Sequence, residues 1–185
     1  MATANESLFR ILFGLSHQNF LLDGLFVFLG QYLPYFMVLL ALGWIYSFGS
    51  KRERWFVFFE LALILILSRG IITESFQFFY KHLRPMDVLG VDALLAEGGN
   101  SFPSGHASFM FALSGGLLMY SWRWGFTYLT LSLVNGIARI VAGVHWPLDI
   151  LGGIVVGLLS AALIHFLLGK HYPSEKQAEE PPGIT

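Results

Sequence analysis

The residues best placed to do chemistry lie in Arg139-Ile-Val-Ala-Gly-Val-His145-Trp-Pro-Leu-Asp149, at the junction of two long apolar runs. Pro147 lacks an amide proton and its φ is already helical, so it suits a first helical turn. A helix starting near Trp146 lifts Asp149 one turn above His145. A carboxylate there can reach an imidazole nitrogen, fix the tautomer and support the charged ring, making a better nucleophile or base. Arg139 adds a permanent cation whose planar fork suits phosphate oxygens. Such a group at a membrane edge points to an anionic lipid headgroup.

Two further stretches share this character. Asn100-Ser-Phe-Pro-Ser-Gly-His106 directly precedes another apolar run. Ser104 is a favoured N-cap, Gly105 permits close backbone approach, and free amides at a helix start attract anions. His106 would stand beside a bound phosphate. Lys81-His82-Leu83-Arg84-Pro85 closes a long apolar segment, with Pro85 as a stop signal. Each stretch alone has a plain structural reading: a hydrogen-bonded histidine, an ordinary cap, an arginine snorkelling to headgroups. A metal at His145 and Asp149 would want a third ligand, and none stands at helical spacing. Three such stretches on one membrane face favour a shared site.

Arg84-Pro85, Pro103-Ser104-Gly105-His106 and Arg139-x5-His145-x3-Asp149 resemble, in order and approximate spacing, the three signature motifs of the type 2 phosphatidic acid phosphatase superfamily. The resemblance covers about residues 20 to 168. Within the family, Leu15 to Leu29 looks most like the small bacterial undecaprenyl-diphosphate phosphatases. Two positions depart from the motifs: Gln77 stands where a lysine is usual, and Ala138 where a serine is usual. Lys81, one turn beyond Gln77, is a candidate substitute. The resemblance implies metal-independent hydrolysis, without cofactor, through a phosphohistidine. His145 would attack phosphorus, Asp149 orient it and His106 protonate the leaving oxygen. Lys81, Arg84, Ser104, Gly105 and Arg139 would hold the phosphate. The favoured reaction takes undecaprenyl diphosphate to the monophosphate. Phosphatidic acid or phosphatidylglycerol phosphate hydrolysis, and a non-catalytic lipid-binding or transport module, are the alternatives.

The bulk of the chain must position these groups. It has 185 residues, 55% hydrophobic and 12% charged, with mean hydropathy +0.63. Soluble domains carry about 25% charged residues, so this composition predicts an all-α polytopic membrane protein. Net charge −1 gives no case for nucleic acid, and the lack of cysteine excludes disulfides and thiolate metal sites. Glu6 ahead of the first apolar run argues for retained sequence over a signal peptide. We expect a six-helix bundle: five spans plus an N-terminal helix, over residues 5 to 16, that lies at the interface or spans. Residues 20 to 49 read as one long helix or as a short helix and a span. Lys51 to Arg54 reads as a basic loop, and later spans fall at about 105–121, 125–143 and 147–168.

Residues 1–169 would form the phosphatase domain and 170–185 a disordered cytoplasmic tail. Cations at 51–54, Arg123, Lys170 and Lys176 mark one side as cytoplasmic. The site would then face the outside of a bacterial inner membrane. Arg69 and Glu74 are ionisable groups inside a span, hence functional or paired, but at a spacing of five they do not face each other on an α-helix. The 86–102 loop is flexible and acidic, and its carboxylates are expected to be poor phosphate binders.

Overall fold

The computed structural model describes residues 3–173. The expected tail from residue 174 onward lies outside the described residues. Within them the chain is all-helical. Helix α1 (Ala4–Phe13) starts at Thr3, whose hydroxyl accepts from the Glu6 amide at 3.3 Å. It buries Phe9 between Phe13 and Trp146, with ring centroids 5.4 and 5.2 Å away.

Helix α2 (Phe20–Tyr46) is continuous, the first of the two alternatives for this stretch. It contains one π turn, Phe28–Tyr32, just before Pro34. The cause is local. Proline has no amide to give, so carbonyls four and five residues back lose their helical donor. Those carbonyls, Gly30 and Leu29, are instead taken by Asn135 and Arg139 from another helix.

Helix α3 (Lys51–Phe79) begins in a capping box: Ser50 Oγ accepts from the Glu53 amide at 3.1 Å, and the Glu53 carboxylate accepts from the Ser50 amide at 3.4 Å. The expected loop at Lys51–Arg54 is therefore a helical turn, because Ser-x-x-Glu supplies the missing end partners. A second π turn, Ile66–Thr73, interrupts α3. Its wider turn aligns residues five apart, which pairs Arg69 with Glu74 after all.

Pro85 does not end α3, which stops at Phe79. It opens the short α4 (Pro85–Leu89) instead, as its fixed φ favours. Helices α5 (Gly105–Leu118), α6 (Trp122–Val141) and α7 (Pro147–Leu168) complete the chain, with a closing 3-10 turn at Gly169–His171. Trp122 to Trp124, expected to separate two spans, form the first turn of α6.

Among the described residues, three helices are long and apolar enough to cross a membrane: α2, α3, and α7 continued to His171. Helix α5, at 14 residues, is shorter than the roughly 20 that a span needs. It is the core of the bundle, buried along nearly its whole length and flanked by α3, α6 and α7. Its contact with α7 is backbone to backbone. A Cβ on Gly153 would lie 2.9 Å from the Ser104 carbonyl oxygen, and one on Gly157 would lie 2.6 Å from the Ala112 amide. Two glycines four apart let membrane helices approach this closely. The approach sets the start of α5 directly against the start of α7.

The two ends of the bundle differ. At one, Arg54 donates to the Phe48 carbonyl and Tyr172 packs on Phe56 and Tyr120. At the other, α1, the 90–104 loop and the turn before α7 meet. The cationic Lys51–Arg54 turn thus lies at the end opposite the helix starts that carry the motifs.

Candidate active site

Gly143, at φ +84°, turns the chain sharply between α6 and α7, and a side chain there would also press on Ala93. This turn presents His145. The Val144 carbonyl accepts from Arg84 at 2.9 Å, and the Trp146 indole donates to the Leu83 carbonyl at 2.9 Å. The turn is therefore fastened to the Arg84 segment on both sides of His145.

Asp149 caps the start of α7 by accepting the Trp146 amide at 2.8 Å. The same oxygen, Oδ2, lies 3.3 Å from His145 Nδ1 and also accepts the Ser101 hydroxyl. Ser101 Oγ is itself 3.3 Å from His145 Nδ1. An anionic acceptor on Nδ1 keeps the proton there and leaves Nε2 with its lone pair. His145 is buried, and burial pushes its pKa down to about 4 against the opposing pull of Asp149. The ring is thus neutral at physiological pH, with the lone pair on Nε2.

Nε2 faces cations. Arg84 Nη1 stands 3.3 Å away and forms an ion pair with Glu97 Oε2 at 2.8 Å. Arg139, fully buried, donates to Gly30 at 3.0 Å and pairs with the other oxygen of Glu97. Glu97 Oε2 is 3.9 Å from His145 Nε2. Burial alone would raise the Glu97 pKa, but Arg139, His145 and Arg84 bring it down to about 2. An ionised carboxylate therefore bridges two arginine forks in front of the histidine. An anion with oxygens spaced like those of a carboxylate fits there.

The start of α5 completes the wall. Ser104, buried, caps the helix by accepting the Ala107 amide at 3.4 Å, and its own amide donates to the Asp149 carbonyl at 3.0 Å. First-turn amides have no partner inside a helix and so remain available to an anion. His106 lines an adjoining cavity of about 190 Å³ with Gly105, Arg69, Pro34 and Tyr35.

Of the sequence candidates, Arg84, Arg139, His145 and Asp149 meet in one cluster, with Ser104 and Gly105 beside it and His106 at its rim. Lys81 is exposed and stands outside the cluster. At the position of the missing lysine, Gln77 donates to the Pro103 carbonyl at 2.9 Å, so it pins the segment leading into α5. Sequence reasoning missed two neighbours, Ser101 and Glu97, and reads His82, whose Nδ1 is 3.4 Å from Asp149 Oδ1, as a surface or interface residue near the site. Ser101 lies beside the Pro-Ser-Gly-His run, which was a usable signal. Glu97 sits in a polar loop without periodicity and gave none.

Residues 55–173 match the model of the PAP2 superfamily. The chain is 32% identical over 158 residues to undecaprenyl-diphosphatase BcrC of Bacillus subtilis, covering 84% of this chain and 79% of that one. It is 29% identical to the bacitracin transport permease protein BcrC of Bacillus licheniformis, covering 90% and 81%. The crystal structure of Aquifex aeolicus LpxE superposes with a TM-score of 0.72 at 24% identity, over 88% of this chain and 95% of that one. On the motif geometry and these matches together, this chain belongs to the PAP2 superfamily.

Proposed function

We propose that this protein hydrolyses the terminal phosphate of an isoprenoid lipid diphosphate, undecaprenyl diphosphate above all, at the outer face of a bacterial inner membrane. The observation that carries the reading is His145 Nε2, 3.3 Å from Arg84, beside a Glu97 carboxylate held between Arg84 and Arg139. The undecaprenyl substrate is supported by the name of the Bacillus subtilis relative. The outward orientation is supported by the cations gathered at the opposite end of the bundle. We take residues 1–169 as the catalytic domain and read six helices in the bundle besides the short α4.

The chemistry follows from the placement. The terminal phosphoryl group displaces Glu97 and lies between Arg84 and Arg139, with Ser104 and the Gly105 amide on its remaining oxygens. His145 Nε2 attacks phosphorus as the bond to the bridging oxygen breaks, and His106 gives that oxygen a proton. Asp149 and Ser101 stabilise the positive ring that forms at His145. Water then attacks the phosphohistidine, His106 takes its proton, and His145 returns to neutral while phosphate leaves. Charge spread over three oxygens is met by fixed donors, where most of the catalysis of phosphoryl transfer resides. A covalent intermediate divides one displacement into two. Lys81, being exposed, takes no part in this scheme.

The deciding experiment is phosphate release by purified protein in detergent from undecaprenyl diphosphate, phosphatidic acid and phosphatidylglycerol phosphate. Preference for the diphosphate is the expected result. Preference for a glycerolipid would reassign the substrate. The name of the Bacillus licheniformis relative favours a second reading, transport, which predicts no release from any lipid.

A further inference from the structure

Arg69 is unexplained by the chemistry above. It sits within α3, a helix apolar enough to cross a membrane, and a cation there needs a reason. The π turn at Ile66–Thr73 gives the position, since it rotates Arg69 toward α5. Its guanidinium packs on Gly105: a Cβ on that glycine would lie 2.7 Å from Arg69 Nε and 3.0 Å from Cζ. Arg69, Gly105 and His106 line one cavity, whose other walls are Pro34, Tyr35, Val38 and Phe109. The cavity thus has a cation beside the leaving-group histidine and largely apolar walls. Glu74 is the only carboxylate within ion-pair distance of Arg69 among the described residues, and both side chains are well exposed, at 40% and 56%.

We propose that Arg69 binds the second, lipid-attached phosphate of a diphosphate substrate, and that Glu74 holds the guanidinium until substrate arrives. This rests on the diphosphate reading given above. The order of groups is dictated by the reaction. The phosphate under attack lies at Arg84 and Arg139, the bridging oxygen meets His106, and the next phosphate falls on the far side of His106, in the cavity that Arg69 lines. Beyond it the apolar walls receive the hydrocarbon. A lipid monophosphate has no group to place there, so Arg69 distinguishes the two classes. It also supplies a cation on α3, where Gln77 replaces the lysine usual in the first motif.

Farnesyl diphosphate and farnesyl monophosphate share a tail and differ only in the second phosphate, so their kcat/KM ratio reads this site. In the purified full chain, Arg69→Gln should lower the ratio about 10- to 100-fold, as expected for lost charge-assisted bonds to one phosphate. Arg69→Lys should recover part of it, and Glu74→Gln should raise it by releasing the guanidinium. A ratio unchanged in Arg69→Gln, including an equal fall on both substrates, or unchanged in Glu74→Gln, overturns the assignment of Arg69. Wild-type protein that turns over the monophosphate alone overturns the diphosphate reading itself, and the assignment with it.

Discussion

Glu97 occupies the place that the scheme gives to phosphate, so replacing it should strengthen substrate binding. The carboxylate bridges Arg84, 6% exposed, and Arg139, fully buried. A carboxyl held at about 2 instead of its ordinary 4.5 gains about 3 kcal/mol for the charged over the neutral form. Its pKa is depressed, so this contribution is fully present above about 4.5 and lost only as pH falls through about 2. At neutral pH the competition is therefore at full strength. In Glu97→Gln an amide oxygen still accepts from one arginine, so about half of that energy, 1–2 kcal/mol, is removed from the competition. KM for a lipid phosphate should fall about tenfold, with kcat changed less. Without ligand the variant should also melt lower, because two buried guanidinium groups lose their counter-ion. Inorganic phosphate should raise that melting temperature more in the variant than in the wild type. KM and phosphate protection both unchanged would refute the idea that Glu97 occupies the phosphoryl position. A collapse of kcat at constant KM would instead assign Glu97 to the chemistry.

His145→Ala should abolish turnover, and trapping of radiolabelled phosphate on acid-labile histidine should be lost with it; full residual activity would refute the nucleophile. Activity should persist in excess chelator, and loss reversed by a divalent ion would overturn the metal-independent scheme. The nucleophile must be neutral, and burial sets its pKa at about 4, so the acid limb of kcat/KM that reports His145 should lie near 4, while a separate limb reports the protonated His106 that the scheme needs. An acid limb near 6.5 would mean an unperturbed histidine controls the rate. Ser101→Ala removes a donor to Asp149 and a neighbour of Nδ1, and should lower kcat about tenfold, by the 1–2 kcal/mol of one charged hydrogen bond. Lys81→Ala should leave kcat/KM within about threefold, as for other exposed side chains.

How much of this was legible in the sequence depended on whether a feature is local. The start of α7 was, because Pro147 and Asp149 dictate a first turn and its cap within three residues. The Ser104 cap was legible for the same reason. The start of α3 was equally local, yet the charge of Lys51-Arg-Glu-Arg masked the Ser50–Glu53 capping box. The Arg69–Glu74 pair was hidden differently: α-helical spacing excludes it, and only the π turn makes residues five apart neighbours. Glu97 was out of reach altogether. Its partners are 13 and 42 residues away, and nothing in a Gly-rich loop announces which carboxylate will fold back onto two arginines.

The position of Arg139 shows how far apart cause and effect can lie. A wholly buried guanidinium must be hydrogen-bonded on more than one side to be held in place. One acceptor is Glu97, which substrate displaces; another is the Gly30 carbonyl, which stays. That carbonyl is free because Pro34, four residues on, has no amide to offer it. A proline inside an apolar helix thus creates the acceptor that fixes Arg139 of α6, the arginine proposed to bind phosphate. The same π turn sets Pro34 and Tyr35 on the cavity that His106 and Arg69 line. Helix α2, which carries none of the three motifs, therefore contributes to the proposed site twice over, as the anchor of its buried cation and as one wall of the cavity beside His106.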